Sequence, residues 1–516
     1  MRSAELFSAL SRPRGATRPH LPASGLLAAL LLLIGTSQIL LWRFLDLMPL
    51  WGCLAALGAL VAMAALFRRD ARLADVTIAP RTLATGFAVA LLVLVLGGEG
   101  RFFYAHADWQ VRGAVLRDLA ATPWPFAYDS ADGPMLLRAP LGMYLVPGAV
   151  GQIFGTRAAE LALLFQNAAL LGLVLALGAS LFTTPRARAI ALLVVIGFSG
   201  LDLIGQLLAG QPLSYTSDRW NVAIFLAPVT QVFTGPQHAL AAWTGALLYL
   251  FWRTEKCRLA TFLMPLPLLA LWSPLTVMGL LPFAAHAGIE TLRRRELRLA
   301  DIAAPAATTL IALPGLLYLA AASDTVGMGE ASLTLSQYLA FEALEVGPWL
   351  LALVMIGRHG RFGGVTLAIT AGVLLIFPLI QVGVSSDFVM RASPPALAIL
   401  SVAVADALNA PVETGRRLWK GVLIGALLIG LATPAFEIAR ALRYPPQPES
   451  LCNYMAVVPG GFATYVAPLA RVPDAIAPRE PAIIAQSHPD RCWSGPWPNP
   501  LAAQYAAEDR QRSTDD

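Results

Sequence analysis

Residues 22–42, PASGLLAALLLLIGTSQILLW, form an apolar run without a charged side chain. At about 1.5 Å per residue, a helix of this length crosses a hydrocarbon core of roughly 30 Å. Similar runs recur along most of the 516 residues, and the chain is 57% hydrophobic and only 13% charged. Soluble domains are about 25% charged. The sequence therefore predicts an all-α polytopic membrane protein, since every backbone polar group in lipid must be satisfied within the helix.

About thirteen segments are apolar enough for transmembrane helices. They are residues 22–42, 48–67, 83–99, 158–182, 188–205, 237–252, 259–271, 273–290, 302–322, 338–357, 363–384, 394–408 and 420–438. The stretch 259–290 has basic clusters at both ends, so it must cross and return, with a turn at 272–274 where proline disfavours helix. Residues 139–155 are also apolar, but a crossing there would invert every later loop. We therefore expect them to form a helix at the outer interface.

Basic residues are gathered between the predicted spans on one side, which indicates the cytoplasm. They are four arginines before residue 20, then Arg68, Arg69, Arg72, Arg81, Arg186, Arg188, Arg253, Lys256, Arg258, Arg293, Arg294, Arg295, Arg298, Arg358, Arg361, Arg416, Arg417 and Lys420. This pattern places the N-terminus in the cytoplasm and the C-terminus outside. It also argues against nucleic-acid binding, although the net charge is +5. The first apolar run leads directly into a second one, so we interpret it as a retained helix rather than a signal peptide.

Three parts follow from this topology. Residues 1–82 form a cytoplasmic tail with two additional helices, residues 83–438 form the membrane core with a long outer loop at 99–157, and residues 439–516 form a small outer tail. Cys452 and Cys492 lie in that tail, in the compartment where disulfides persist, so we predict that they pair. The tail is rich in proline, and we expect an irregular cap.

The long outer loop contains DWQVRGAVLRDLA, which begins at Asp108. Trp109, Val115, Leu116 and Leu119 recur at helical spacing, and Asp108 and Arg112 are one turn apart on another face. The spacing predicts an amphipathic helix that lies on the membrane, with its polar face over the helix bundle.

The order of parts in this region resembles the GT-C class of membrane glycosyltransferases. An acid, Asp108, follows the outer end of a span, and a short helix ends near Trp124-Pro125. R-x-P-L-x-x-Y-L at 138–145, F-G at 154–155 and a further span come next. The likeness covers roughly residues 83–200, and the relatives it suggests are lipid A aminoarabinose transferases and protein O-mannosyltransferases. In that class the acid at this place is commonly the first of an acidic pair, whereas here Trp109 follows it.

The resemblance implies transfer of a sugar from a polyprenyl-phosphate donor to an envelope glycan, lipid or protein, on the outer face of a bacterial inner membrane. Such a reaction needs a base for the acceptor hydroxyl, and Asp108 is the candidate. The departing phosphate needs cations, and arginine matches its oxygens. Arg391 is the first choice, because it is the only basic residue in the outer loops after Arg219. Arg138 is the second choice, and Arg112 is a further candidate.

Each of the other candidate site residues also has a purely structural interpretation. Asp202 is an acid within an apolar run and is a functional candidate on that ground, although it can also reach the interface. Gln237 and His238 begin a predicted span, and His238 either contacts donor or acceptor or caps the helix. Asp387 either joins Arg391 in the site or forms a surface ion pair with it. Trp109 is a candidate contact to donor or acceptor.

Two other functions stay open. A transporter or flippase of an envelope lipid would use Asp108, Asp202 and Arg391 to line a route, and a non-catalytic scaffold would use them for neither purpose. Transporters usually show repeats in their spans, and no repeat is evident here. No pattern decides the cofactor, and a divalent metal such as Mg²⁺ or Mn²⁺ stays possible.

The cysteine pairing can be tested directly. Peptide mapping of the purified protein without reducing agent should recover Cys452 and Cys492 in one cross-linked peptide, because both residues are predicted outside the cytoplasm. Cys53 and Cys257, in a span and a cytoplasmic loop, should be recovered as free thiols. Free thiols at both tail positions would contradict the pairing and the predicted side of the tail.

Overall fold

The computed structural model describes residues 20–213, 217–331, 333–357, 360–383, 386–411, 413–485 and 492–497. The basic N-terminal tail, Arg358 and the last part of the C-terminal tail lie outside these residues. The described part is mostly helical. Its α-helices are α1 Ala23–Phe44, α2 Leu50–Leu66, α3 Ala71–Ala74, α4 Pro80–Leu96, α5 Asp108–Ala121, α6 Leu145–Phe154, α7 Thr156–Ala179, α8 Pro185–Gly197, α9 Asp202–Leu208, α10 Pro228–Thr234, α11 Pro236–Arg253, α12 Leu259–Leu263, α13 Leu266–Leu269, α14 Pro274–Arg293, α15 Leu299–Ala320, α16 Leu335–Glu345, α17 Gly347–Ile356, α18 Gly363–Ile376, α19 Asp387–Ala392, α20 Pro394–Asn409, α21 Arg417–Gly430, α22 Ala432–Arg443 and α23 Tyr454–Val457.

Seven helical stretches in the described residues are long and apolar enough to cross a membrane. They are Ala23–Phe44, Leu50–Arg69, Thr156–Ala179, Pro185–Leu208, Pro274–Arg293, Leu299–Ala320 and Arg417–Arg443. The pair α16 and α17, bent by 52°, makes an eighth if it is one span. All thirteen predicted segments contain helix, but the lengths and compositions support seven or eight crossings. The other five predicted segments are shorter or more polar than a full crossing requires.

Helix α11 is the centre of the bundle. Every residue from Pro236 to Trp252 is buried, and α11 packs against α7, α10, α14 and α20. Its first turn carries His238, which contacts Ser273, while Trp252 lies at its other end. The following segment begins at Arg258, beside Asp70, and reaches Ser273, and α14 then runs back. The reversal predicted at 272–274 is confirmed, with Ser273 as the helix-capping residue.

Helices α4 and α7 approach each other closely because each presents a glycine. A Cβ atom at Gly86 would lie 2.8 Å from the carbonyl oxygen of Gly172, and one at Gly172 would lie 2.9 Å from Cα of Phe87. Small residues allow such contact between helix backbones in apolar surroundings, where packing supplies much of the association energy. This contact fixes the helix that leads into the outer loop.

A small β-sheet joins the outer loop to the C-terminal segment, and the sequence analysis did not predict it. The described residues contain eight strands: β1 Leu21–Pro22, β2 Thr77–Ile78, β3 Phe126–Tyr128, β4 Met135–Leu137, β5 Met328–Glu330, β6 Ile380–Val382, β7 Val466–Pro468 and β8 Ala482–Ile484. This sheet contains β3, β4, β7 and β8, while β1 with β2 and β5 with β6 form two separate two-stranded sheets. Strands β3 and β4 form a hairpin, β7 pairs antiparallel with β4, and β8 pairs parallel with β3. The C-terminal segment therefore holds the hairpin from both sides, and it is less irregular than predicted.

Helix α5 is enclosed rather than laid on a surface, which corrects the amphipathic prediction. Arg112 and Asp118 on its polar faces are buried, as are the apolar residues. The carboxylate of Asp118 accepts hydrogen bonds from the Tyr128 hydroxyl at 2.7 Å and from the backbone N–H of Tyr454 at 2.8 Å. The C-terminal segment thus covers the side of α5 that faces away from the bundle. A disulfide between Cys452 and Cys492 closes that segment.

Helix α6 also differs from the prediction for residues 139–155. It begins only at Leu145 and ends at Phe154, and it packs against α5 and α7. Its last residues, Ile153 and Phe154, are more than two-thirds exposed. The helix is therefore short, and its apolar C-terminal end is the part open to the surroundings.

Asp118 makes the stability of this outer part depend on pH. Burial raises the pKa of Asp118 to about 7, from an ordinary value of 3.8, and the bonds from Tyr454 and Tyr128 oppose the rise only in part. The folded state therefore holds the proton more tightly than the unfolded state does. This contribution to stability is fully present below about pH 4 and is lost as the pH rises to about 7, by roughly 1.4 kcal/mol per unit.

The substitution Asp118→Asn keeps one carbonyl acceptor but cannot ionise. Thermal unfolding in detergent should show a smaller loss of stability between about pH 5 and about pH 8 in this variant than in the wild type. Asp132→Asn, at an exposed position in the hairpin turn, is the matched control and should follow the wild type. Equal pH dependence in all three proteins would show that Asp118 is not the titrating group.

Candidate functional site

Asp108 stands in the first turn of α5 and its carboxylate is accessible to water. Its side chain is 43% exposed, and Oδ2 lies 2.6 Å from Nδ1 of His106, whose side chain is 14% exposed. The position favours a negative charge, because the first turn of a helix presents unpaired N–H groups. His106 is two residues away in sequence, and its imidazole orients the carboxylate.

The charges around this pair keep Asp108 ionised. Burial acts to raise the pKa of Asp108, but the hydrogen bond from His106 and the charges of Arg112 and Arg219 outweigh it and bring the pKa below its ordinary value. Burial lowers the pKa of His106, with Arg440 and Arg219 adding to the effect and Asp108 opposing it. At neutral pH the pair is therefore a carboxylate beside a neutral imidazole.

Two side chains of α5 attach it to the end of α10. The indole N–H of Trp109 donates to the carbonyl of Phe233 at 2.8 Å, and Nε of Arg112 donates to the carbonyl of Thr234 at 2.7 Å. Both carbonyls belong to the last turn of α10, where a helix leaves its C=O groups unpaired. The indole of Trp109 is therefore buried in the protein interior. It lines a small cavity beside Gly113 and Leu116, and its predicted role as a substrate contact stays a prediction.

Gly235 lets Arg112 and His238 come together. A Cβ atom at this position would lie 2.9 Å from Cδ2 of His238 and 3.2 Å from Nη2 of Arg112. Nδ1 of His238 lies 2.7 Å from Oγ of Ser273, and that hydroxyl donates to Thr276 at 2.6 Å. The Thr276 hydroxyl in turn donates to the backbone carbonyl of Arg391 at 2.7 Å. One chain of hydrogen bonds therefore extends from α11 to α19.

A cavity of about 140 Å³ lies between these elements. Five of the side chains singled out from the sequence line it: Arg138, Gln237, His238, Asp387 and Arg391. Tyr465 of the C-terminal segment and Ser273 complete part of its wall. At about 30 Å³ per water, the volume suits a few waters or a phosphate group. The predicted gathering of these five residues is therefore present in the structure.

Charges connect this cavity to Asp108. Arg391 forms an ion pair with Asp387 at 2.9 Å. Burial raises the pKa of Asp387, Arg391 opposes the rise, and Asp108 and Arg112 also act on this carboxyl. The charges of Arg391, Arg112 and Asp108 all act electrostatically on His238. Asp108 is not among the residues that line the cavity, but its charge acts on two residues that do, Asp387 and His238.

Several buried polar atoms in and around this site lack a partner. Nη1 of Arg112, Oε1 of Gln237 and Nε of Arg138 have no hydrogen-bond partner among the described residues. A buried polar group without a partner costs about 1–3 kcal/mol, more if charged. Such atoms are typical of sites that water or a ligand completes.

Arg138 has a structural role that the sequence did not reveal. Nη1 donates to the carbonyl of Leu319 at 3.1 Å, and Nη2 donates to the carbonyl of Ala463. Arg138 therefore ties the outer loop to α15 and to the C-terminal segment. It also lines the cavity, although its Nη1 and Nη2 already donate to these backbone carbonyls.

Asp202 lies in a different cluster, which separates it from the site in which it was predicted. Its carboxylate accepts hydrogen bonds from Ser199 and from Thr433, the latter at 2.8 Å, and it interacts with the carboxyl of Glu345. Glu345 also accepts a bond from the Trp220 indole at 2.7 Å. Two carboxyl groups in contact share a proton, because two buried negative charges repel. The fold, rather than the spacing along the chain, determines this pairing.

Three residues of the site were missed or undervalued in the sequence. Arg219, in a short 3₁₀ turn, is exposed and acts on Asp108, His106 and Asp387. No motif distinguishes it. Tyr144 and Tyr465 lie close enough to Arg112 for their hydroxyls to act on its charge. Tyr144 stands in the R-x-P-L-x-x-Y-L segment and could have been chosen from it.

No group of three or more His, Cys, Asp or Glu side chains with metal-binding geometry occurs among the residues that the structure describes.

The comparisons with known proteins yield no match, whether with family models, curated proteins or solved structures. The likeness of the outer loop to GT-C enzymes therefore stays a prediction from its motifs.

Gly235→Ala tests whether close approach of Arg112 and His238 matters. Its methyl group should displace both side chains by a few tenths of an ångström. We expect a loss of roughly 3- to 10-fold in affinity for a polyprenyl phosphate, or about 0.7–1.4 kcal/mol, measured with the purified protein. Gly372→Ala, which would meet no atom within 4 Å, is the control. Unchanged affinity in Gly235→Ala would show that Arg112 and His238 do not take part in binding the polyprenyl phosphate.

Proposed function

We propose that this protein is an inverting glycosyltransferase of the GT-C type. It moves a sugar from a polyprenyl-phosphate donor to a glycan, lipid or protein of the cell envelope, at the outer face of a bacterial inner membrane. One observation carries the proposal: an ionised, water-accessible carboxylate, Asp108, shares a site with guanidinium groups from three separate segments, Arg112, Arg219 and Arg391.

The chemistry needs these two kinds of group together. Asp108 takes the proton of the acceptor hydroxyl, whose oxygen attacks the anomeric carbon from the face opposite the phosphate. The bond between that carbon and the phosphate oxygen breaks, and the lipid phosphate leaves with the electron pair. Arg391 and Arg219 stabilise the anion as it forms.

The low pKa of Asp108 fits a base that is activated by its substrate. His106, Arg112 and Arg219 together stabilise the carboxylate, which makes it a weak base. A bound phosphate offsets these positive charges, so the pKa of Asp108 rises and the carboxylate becomes a better proton acceptor. Binding of the donor thus makes Asp108 a stronger base, and in this way donor binding is coupled to the reaction.

The membrane arrangement is part of the proposal. Helices α11 and α14, of 18 and 20 residues, each begin at the candidate site. At about 1.5 Å per residue they extend roughly 27 and 30 Å from it, close to the thickness of the hydrocarbon core. We propose thirteen crossings, with the N-terminus in the cytoplasm and the site outside. Shorter helices are tolerated where protein surrounds them, as at α11.

A lipid transporter is the second candidate, favoured by the buried pair of Asp202 and Glu345. Two carboxyl groups that share a proton inside an apolar bundle suit proton-coupled movement. Reconstituted protein would then move a labelled polyprenyl-phosphate sugar across vesicles without altering the sugar. Glu345→Gln should change the pH dependence of that movement. The enzyme proposal expects the donor to be consumed in the presence of an acceptor.

Asp108→Asn is the decisive variant for the enzyme. Asn keeps the size and a hydrogen-bond acceptor but cannot take the proton, so transfer should fall by about 10²- to 10⁴-fold. The measurement is mass analysis of envelope glycans and lipids from a strain without the gene, complemented with each form. Asp132→Asn, exposed in the same loop, should restore transfer. Normal glycosylation by well-expressed Asp108→Asn would reject the base assignment.

A further inference from the structure

A second cavity, of about 470 Å³, lies at the end of the bundle opposite the candidate site. Helix α14 connects the two places: Ser273, at its start, lines the first cavity, and Thr291, near its end, lines the second. The same holds for α11, which begins beside His238 and carries Trp252 near its end. The two cavities are therefore separated by roughly the thickness of a hydrocarbon core.

Four arginines line this second cavity, which we call the basic cavity: Arg72, Arg258, Arg295 and Arg298. They belong to three separate segments, one after α2, one before α12 and one between α14 and α15. Two carboxylates, Glu296 and Asp301, also line it. The guanidinium groups thus outnumber the carboxylates two to one, and the cavity attracts anions.

The two carboxylates are already engaged. Glu296 pairs with Arg72 at 3.0 Å. Asp301 accepts from the backbone N–H of Ala260 at 2.8 Å and from that of Arg298 at 2.9 Å. Arg258 lies 3.7 Å from Asp70. The side chains of Arg295 and Arg298 form no ion pair among the described residues, so they are the positive groups left for a ligand.

Exposed apolar side chains line the basic cavity or adjoin its lining residues in sequence. Leu297 lines it and is 41% exposed, and Leu299 is 82% exposed. Leu292 and Ile302, on the ends of α14 and α15, are 61% and 57% exposed. A free phosphate ion needs no such border. A phospholipid needs both features, a cationic site for its phosphate and apolar surface for its chains.

We propose that the basic cavity binds the headgroup of an anionic phospholipid at the cytoplasmic boundary of the membrane. Arg295 and Arg298 contact the phosphate, Arg72 and Arg258 add positive charge, and the acyl chains run along the exposed leucines. This proposal rests on the proposed membrane arrangement but not on the proposed enzymatic activity.

The test uses the full-length protein in phosphatidylcholine vesicles that contain a minor fraction of phosphatidylglycerol. Electron spin resonance of spin-labelled lipids measures the preference for phosphatidylglycerol over phosphatidylcholine. Each arginine near a membrane surface contributes about 5-fold to anion binding. We therefore expect Arg295→Gln/Arg298→Gln to lower the preference by roughly 5- to 25-fold. Arg295→Lys/Arg298→Lys keeps both charges and should retain most of it.

The matched control is Arg68→Gln/Arg69→Gln. These exposed arginines lie at the same end of the bundle but outside the basic cavity, and their loss should change the preference little. An equal loss in both double glutamine variants would show diffuse surface attraction and overturn the proposal. Displacement of the spin-labelled lipid by soluble glycerol phosphate at similar concentration would assign the cavity to a free anion instead. An unchanged preference in the Arg295/Arg298 variants would also overturn it.

Discussion

The candidate site depends on a single buried guanidinium. Arg112 projects from α5 into the bundle and donates to the last carbonyl of α10, beside a glycine that leaves room for His238. Burying a charge is costly unless it is paired and hydrogen-bonded. Arg112 meets this requirement in part, through a helix C-terminus, two tyrosines and the nearby Asp108, while its Nη1 has no hydrogen-bond partner among the described residues. Arg112 and Trp109 attach α5 to the end of α10, and Asp108 stands in the first turn of α5. The contacts that anchor the outer loop therefore also position this carboxylate.

The enclosure of α5 explains why this geometry can persist. A helix on a membrane surface would be held by its apolar face alone and could shift along the bundle. Here the C-terminal segment covers the other side, with Asp118 as the hydrogen-bonded centre and the hairpin of β3 and β4 held on both edges. Arg138 adds a further connection between the loop, α15 and the C-terminal segment. Residues far apart in sequence therefore keep the carboxylate of Asp108 in a constant position.

The bundle separates two kinds of charge along its length. Asp108, Asp387 and three arginines are gathered at one end, and the basic cavity lies at the other. Between them, α11 is buried from Pro236 to Trp252. Arginine suits both ends, because its planar fork matches the oxygens of a phosphate. The two ends differ in the groups that surround the arginines. Carboxylates able to move a proton lie at one end, and exposed leucines lie at the other.

The sequence alone determined which segments are helical and where the chain reverses, because hydrophobic runs and helix-breaking prolines act locally. It also identified Asp108, His238, Asp387 and Arg391, since charged and polar side chains stand out among apolar runs. Tertiary structure decided which of these meet. Asp202 joins Glu345 instead of Asp108, Arg219 joins the site without any motif, and α5 is enclosed by strands that pair with residues more than 300 positions away. Such pairings depend on how helices pack and on where buried polar groups find partners, and neither is encoded in local periodicity.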